Sequence, residues 1–142
     1  MNIQVFGQLE LVERIDNCEG IYSHLVSIGN PGRGIKRIDS IIPSVFKTVF
    51  KKYLRLEFYD VLEKRHLGPM RPKRIPLKKD IRKAIRFFNK NTNEATGYTI
   101  HCWRGVSRST AIALGYLYMI YRDEEKTKEP LSKISRSGIR LW

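Results

Sequence analysis

The residues with the most chemistry to offer sit close together. The segment from Tyr98 to Ala111 reads YTIHCWRGVSRSTA, with His101-Cys102, then Gly105, then Arg108-Ser109 at its core. A cysteine separated from an arginine by five residues means little alone; the added His, Gly and Ser make the pattern specific. An apolar strand pattern precedes the motif and an apolar helix pattern follows it. Five residues between a strand end and a helix start curl into a cup of backbone N–H groups, with the positive end of the helix dipole pointing in. Trp103, Arg104, Gly105, Val106 and Ser107 form that cup. It suits a dianion, phosphate above all, and Arg108 at the helix start adds a bidentate fork for two of its oxygens. Gly105 permits a backbone conformation closed to other residues. Cys102 lies at the floor, where the N–H groups and Arg108 favour its thiolate. A thiolate beneath a bound phosphate is an in-line nucleophile. Ser109 is placed to donate to that sulfur and help it leave, and His101 to orient the cup through ring hydrogen bonds.

Such a cup needs a sheet to hold it, and the chain alternates strand and helix patterns. Ile3 to Phe6 is a short strand, and Leu9 to Ile15 reads as a second. His24 to Ile28 (HLVSI) is a buried strand, stopped by the turn signal Gly29-Asn30-Pro31-Gly32. Ile41 to Lys52 is expected to hold a helix starting near Pro43 and Ser44, and Tyr53 to Phe58 alternates as a half-buried strand should. Tyr59 to Pro76 is long and irregular, the kind of loop that is usually functional or mobile. Leu77 to Asn91 is the clearest helix: Leu77, Ile81, Ala84, Ile85 and Phe88 share a stripe, while Lys78, Lys79, Arg82, Lys83 and Arg86 cover the rest. Thr99 and Ile100 lie in a short strand. Thr110 to Tyr121 is an apolar helix expected to be buried on most sides, with Tyr116, Tyr118 and Tyr121 in the core or facing the sheet. The pattern predicts an α/β fold in one domain over residues 1–142, with a central, mostly parallel sheet flanked by helices on both faces.

The motif matches the signature of the cysteine-based protein tyrosine phosphatases, and the chain resembles their small dual-specificity-like branch found in bacteria and archaea. The resemblance is strong over Thr99 to Tyr118 and moderate over Leu54 to Asp60 and the helix that follows. It implies hydrolysis of a phosphomonoester, typically on a protein, in two steps through a phosphocysteine, with no metal and no other cofactor. It also implies a general acid, usually an Asp on a loop upstream of the motif. Asp60 fits best, since it ends the strand pattern LRLEFYD and opens the long loop; Glu63 is the nearest rival. Asp80, inside a basic helix, and Glu57, within a strand, fit worse. Trp103-Arg104 is a less usual filling of the loop and bears on substrate choice; Trp103 either stacks on a substrate ring or packs behind the loop. Other families with Cys-x5-Arg loops fit less well. The low-molecular-weight phosphatases place the loop at the N-terminus, and rhodanese-like sulfurtransferases lack the His-Cys…Gly…Arg-Ser pattern.

Charge adds a second expectation. The chain has 142 residues and a net charge of +13, and the whole excess falls between Pro31 and Lys90, which hold 18 basic and 5 acidic residues. A concentrated excess suggests a basic face and an anionic partner, such as RNA or a phosphoinositide. Lys64-Arg65-His66, Arg71, Lys73-Arg74 and Lys78-Lys79 would ring the mouth of the cup, favouring substrates with extra negative charge. These include acidic phosphopeptides, inositol phosphates, phosphoinositides and RNA 5′-phosphates. A non-catalytic phospho-ligand module does not need Cys102, and a nucleic-acid binder should show a recognisable motif, which this chain lacks. Two cysteines exclude a disulfide scaffold, and the absence of a signal-peptide pattern or a long apolar run points to a soluble cytoplasmic protein. Cys18 is expected to be a buried structural thiol, with a resolving role toward an oxidised Cys102 as the alternative. His24 reads as a packed core residue.

Overall fold

A computed structural model describes residues 2–31, 43–60 and 76–122. Four strands and four helices alternate along them: β1 (Ile3–Gly7), α1 (Gln8–Asp16), β2 (His24–Gly29), α2 (Ser44–Val49), β3 (Lys52–Glu57), α3 (Lys78–Asn91), β4 (Tyr98–Cys102) and α4 (Arg108–Tyr121). The strands form one sheet in the order β1-β4-β2-β3, and every pairing is parallel. The two central strands, HLVSIG and YTIHC, are buried at every residue. Inner strands of a parallel sheet are buried on both faces, and here the burial takes in the polar His24, Ser27, Thr99 and His101. β3 lies at an edge, and its exposure falls from Lys52 to the buried Leu56. The registers bring the C-terminal ends level: Gly7 pairs with Cys102, Ser27 with His101, and Gly29 with Glu57. Ligands of open parallel sheets bind at this edge, where the strand-to-helix turns gather.

Buried side chains form two clusters, and neighbouring strand residues divide between them. Val5, Val26, Ile28 and Ile100 join Ala84 and Phe88 of α3 and Ile112, Ala113, Tyr116 and Leu117 of α4. Phe6 and Leu25 join Leu11 of α1 and Phe46 of α2. In the larger cluster the Phe88 ring lies 4.2 Å from Tyr116 and 4.9 Å from Tyr98. Each such pair contributes about 1 kcal/mol beyond its burial. The fully buried Tyr98 satisfies its hydroxyl by donating to the Phe88 carbonyl at 3.0 Å.

Several elements differ from their patterns. Leu9 to Ile15 is helix α1, not a strand. Leu11, Val12 and Ile15 share one helical stripe against the smaller cluster, while Leu9 is 68% exposed. The helix expected over residues 41–52 is one short piece, Ser44–Val49, because Lys51 already donates to the Ser23 carbonyl and Lys52 begins β3. α3 is rotated from its expected stripe: Ile81 and Ile85 are exposed, while Asp80, Ala84, Phe88 and Asn91 are buried. Two polar residues tolerate burial because they bond their own helix. Asp80 accepts from Leu77 N at 2.9 Å, and Asn91 donates to Phe87 O at 2.7 Å. α4 buries one face only: Leu114, Tyr118, Ile120 and Tyr121 are exposed, so of its three tyrosines only Tyr116 is core. Cys18 is exposed rather than buried, just past α1 in a left-handed conformation (φ 54°). His24 is buried as expected, with Nδ1 2.8 Å from Ser23 Oγ. Glu63, His66, most of the basic loop and the tail beyond Arg122 lie outside the described residues. No helix among the described residues is long and apolar enough to cross a membrane.

Candidate active site

β4 ends at Cys102 and α4 begins at Arg108, so the expected five-residue loop is present between them. Cys102 is 2% exposed, and its sulfur is held by loop and helix groups. Gly105 N–H donates to Sγ at 3.2 Å, and Ser109 Oγ lies 3.2 Å from Sγ on the first turn of α4. A sulfur bonded in this way faces its loop, and the residue also belongs to the larger core cluster. Gly105 makes the turn possible. Its φ is +71°, and a Cβ there would lie 2.4 Å from Gly7 N and 2.5 Å from Phe6 C. Only glycine meets both conditions. β1 therefore backs the loop directly, and Gln8 N donates to Trp103 O at 3.0 Å. Around the loop Trp103 and Val106 are half-buried, Gly105 is buried, and Arg104 and Ser107 are exposed.

Arg108 is 7% exposed and reaches across the ends of two other strands. Its Nη1 donates to Asn30 Oδ1 at 2.9 Å and to the Phe58 carbonyl at 3.0 Å. The sequence pattern sends the whole guanidinium fork to a ligand; here its Nη1 is anchored by the protein. Those anchors hold the charge near the loop at the edge where β2 and β3 end.

Asp60 lies just past β3, far from the loop in sequence. It meets the loop in space: Ser107 Oγ donates to Asp60 Oδ1 at 2.7 Å. Both residues are exposed, so the contact is at the surface of the loop rather than beneath it.

His101 is fully buried and packs edge-on to Phe46, with ring centroids 5.0 Å apart. Burial, seconded by the Arg55 charge, pushes its pKa down to about 3, against a smaller pull from the Cys102 backbone. It is therefore neutral at ordinary pH. Nε2 lies 2.8 Å from Ser27 Oγ, and Arg55 Nη1 donates to the same oxygen at 2.8 Å.

Thus the fold brings together Cys102, Gly105 and Ser109, ties Asp60 to the loop at Ser107, and buries His101 and Arg108 at either end of the motif. Sequence reasoning missed Asn30, Ser27, Arg55 and Gly7. Ser27 had a legible signal, because a lone serine in an otherwise buried strand must find a hydrogen-bond partner. Asn30 was visible only as part of a turn. Compared with models of known protein families and with curated proteins, the chain matches none.

Proposed function

We propose that the chain is a metal-independent, cysteine-dependent phosphomonoester hydrolase of the protein tyrosine or dual-specificity kind. One observation carries the reading: the Cys102 sulfur lies between Gly105 N–H and Ser109 Oγ at 3.2 Å each, in a loop whose Ser107 is bonded to Asp60. The two core clusters also fit a single domain whose sheet is covered by helices on both faces.

In the first step Cys102 Sγ attacks phosphorus and the bond to the leaving oxygen breaks. Protonated Asp60 gives its proton to that oxygen, so the alcohol or phenol departs neutral. Loop N–H groups and Arg108 balance the charge of the equatorial phosphate oxygens. In the second step the Asp60 carboxylate takes a proton from water, whose oxygen attacks phosphorus. The S–P bond breaks, inorganic phosphate leaves, and Ser109 donates to the returning thiolate. His101, uncharged, holds the loop and moves no proton. The substrate is a phosphorylated protein in the cytoplasm, and the basic residues favour acidic flanking groups.

The test is turnover of an aryl phosphate by the wild type and by Cys102→Ser, in the presence of a chelator. The wild type should turn over and trap a phosphocysteine on rapid acid quench, and Cys102→Ser should do neither. Retained turnover in that variant overturns the nucleophile, and loss of wild-type turnover in chelator overturns the mechanism. Phosphotyrosine peptides should exceed inositol phosphates and RNA 5′-phosphates in kcat/KM; the reverse order moves the substrate to the phosphoinositide or RNA class.

A further inference from the structure

Beneath the loop, three polar side chains from three strands stand in one row. Ser27 of β2 pairs in register with His101 of β4 on one side and with Arg55 of β3 on the other. Residues paired in this way point to the same face of a sheet. Arg55 Nη1 donates to Ser27 Oγ at 2.8 Å, and Ser27 Oγ lies 2.8 Å from His101 Nε2. Ser27 and His101 are fully buried, and the Arg55 side chain is 11% exposed, its Nε 3.7 Å from Glu57 Oε1.

Proton counting then assigns the imidazole. A guanidinium has donors and no acceptor, so Ser27 Oγ must accept from Arg55. These are the two hydrogen bonds that Ser27 Oγ makes among the described residues. Its own proton therefore has one place to go, the lone pair of His101 Nε2. A proton on Nε2 instead would leave two buried groups unpaired, the hydroxyl hydrogen and the Nδ1 lone pair, against one, the Nδ1–H, in the other tautomer; each costs about 1–3 kcal/mol. A neutral ring with a bare Nε2 carries its proton on Nδ1. That nitrogen is buried and has no hydrogen-bond partner among the described residues.

We propose that Arg55 and Ser27 are positioning residues that fix His101 as the Nδ1–H tautomer and so hold its ring, next in the chain to Cys102, in place beneath the loop. The tautomer follows from the hydrogen-bond row alone; its effect on turnover rests on the phosphatase reading. Arg55 supplies polarisation as well as geometry. Its charge makes the Ser27 hydroxyl a stronger donor toward Nε2, and it opposes any second proton on the ring.

The test is the 15N spectrum of histidine-labelled full-length protein between pH 6 and 8, with His101 assigned by comparison with His101→Asn. The wild type should show Nδ1 protonated and Nε2 bare, without titration across this range. Ser27→Ala should shift His101 to a mixture of tautomers and lower kcat about tenfold, the scale of one lost hydrogen bond, with KM unchanged. Ser27→Thr, which keeps the hydroxyl, should restore both. A wild-type ring protonated on Nε2 overturns the proposal, as does Ser27→Ala with the wild-type tautomer and kcat. If Ser27→Ala fails to fold, the wild-type spectrum and Ser27→Thr decide. The two readings fail separately. Nδ1–H with no wild-type turnover sinks the phosphatase and leaves the row standing; turnover with Nε2–H does the opposite.

Discussion

β1 and β4 lie side by side and end level, Gly7 opposite Cys102, yet they leave the sheet in different ways. β1 runs straight into α1 at Gln8, whereas β4 passes through residues 103–107 before α4 starts at Arg108. The direct junction has no room around its last strand residue. Its first helical N–H is spent on the Trp103 carbonyl, and Gly7 serves as the wall against which Gly105 turns. The junction with five more residues surrounds a sulfur with an amide, a hydroxyl and, at its rim, a carboxylate. Two strand ends at one sheet edge thus divide the work: the shorter supports, and the longer holds the reactive group.

The sharpest way to break this contrast is Gly105→Ala. A methyl group there meets Gly7 and Phe6 backbone at 2.4–2.8 Å, and φ is +71°, so neither side can yield. Aryl phosphate turnover should fall at least about 100-fold, with a stability loss of about 2 kcal/mol or more by denaturant melting. Wild-type turnover in this variant would show that the loop geometry is not what supports the chemistry.

Next comes the carboxylate at the rim. Asp60→Asn should slow hydrolysis of poor leaving groups about 100-fold or more, and of activated aryl phosphates much less. If Glu63→Gln produces that leaving-group dependence and Asp60→Asn does not, the contact with Ser107 is only structural.

The third test uses protons, which His101 takes up only on unfolding and its neighbour not at all. His101 pairs in register with Phe6 of β1, an apolar residue with nothing to titrate. His101 has a folded pKa of about 3 against an ordinary 6.5. The unfolded chain therefore binds a proton between those values that the folded chain refuses. This contribution to stability is present in full above pH 6.5 and is lost as pH falls toward 3, at about 1.4 kcal/mol per pH unit. Buried His24, also depressed, adds in the same direction. Denaturant melts from pH 6.5 to 4.5 should show this slope in the wild type and a shallower one in His101→Asn. Equal slopes would mean His101 is not buried neutral.

The smallest effect is expected at the supporting junction. In Gly7→Ala the new methyl lies 3.2 Å from Arg104 and Trp103 backbone, a contact relieved by a shift of a few tenths of an ångström. Turnover should fall only a few-fold, with a melting change well below that of Gly105→Ala. A larger loss than at Gly105 would reverse the roles assigned to the two strand ends.

Much of this site was legible along the chain because its parts are contiguous. Cys102, Gly105, Arg108 and Ser109 lie within eight residues, between an apolar strand and an apolar helix, and strand–loop–helix is a local geometry. The α1 segment was misread because seven residues with four apolar members fit a strand as easily as a helical stripe. The rotation of α3 was hidden for another reason. Asp80 and Asn91 turn inward to bond their own backbone, and no hydrophobic pattern records that.

What the order of residues determined on its own was a set of local conformations: a parallel-type core strand, a glycine turn and a helix whose first residues are Arg and Ser. Pairings between strands were decided by the folded sheet. Ser27, Arg55 and His101 stand 28 and 74 residues from one another in their two bonds, and Asp60 reaches Ser107 across 47. Separations of that size carry no periodicity. They become contacts only when parallel strands settle into register, since a slip of one residue in any of the three strands would turn its member of the Arg55–Ser27–His101 row to the opposite face.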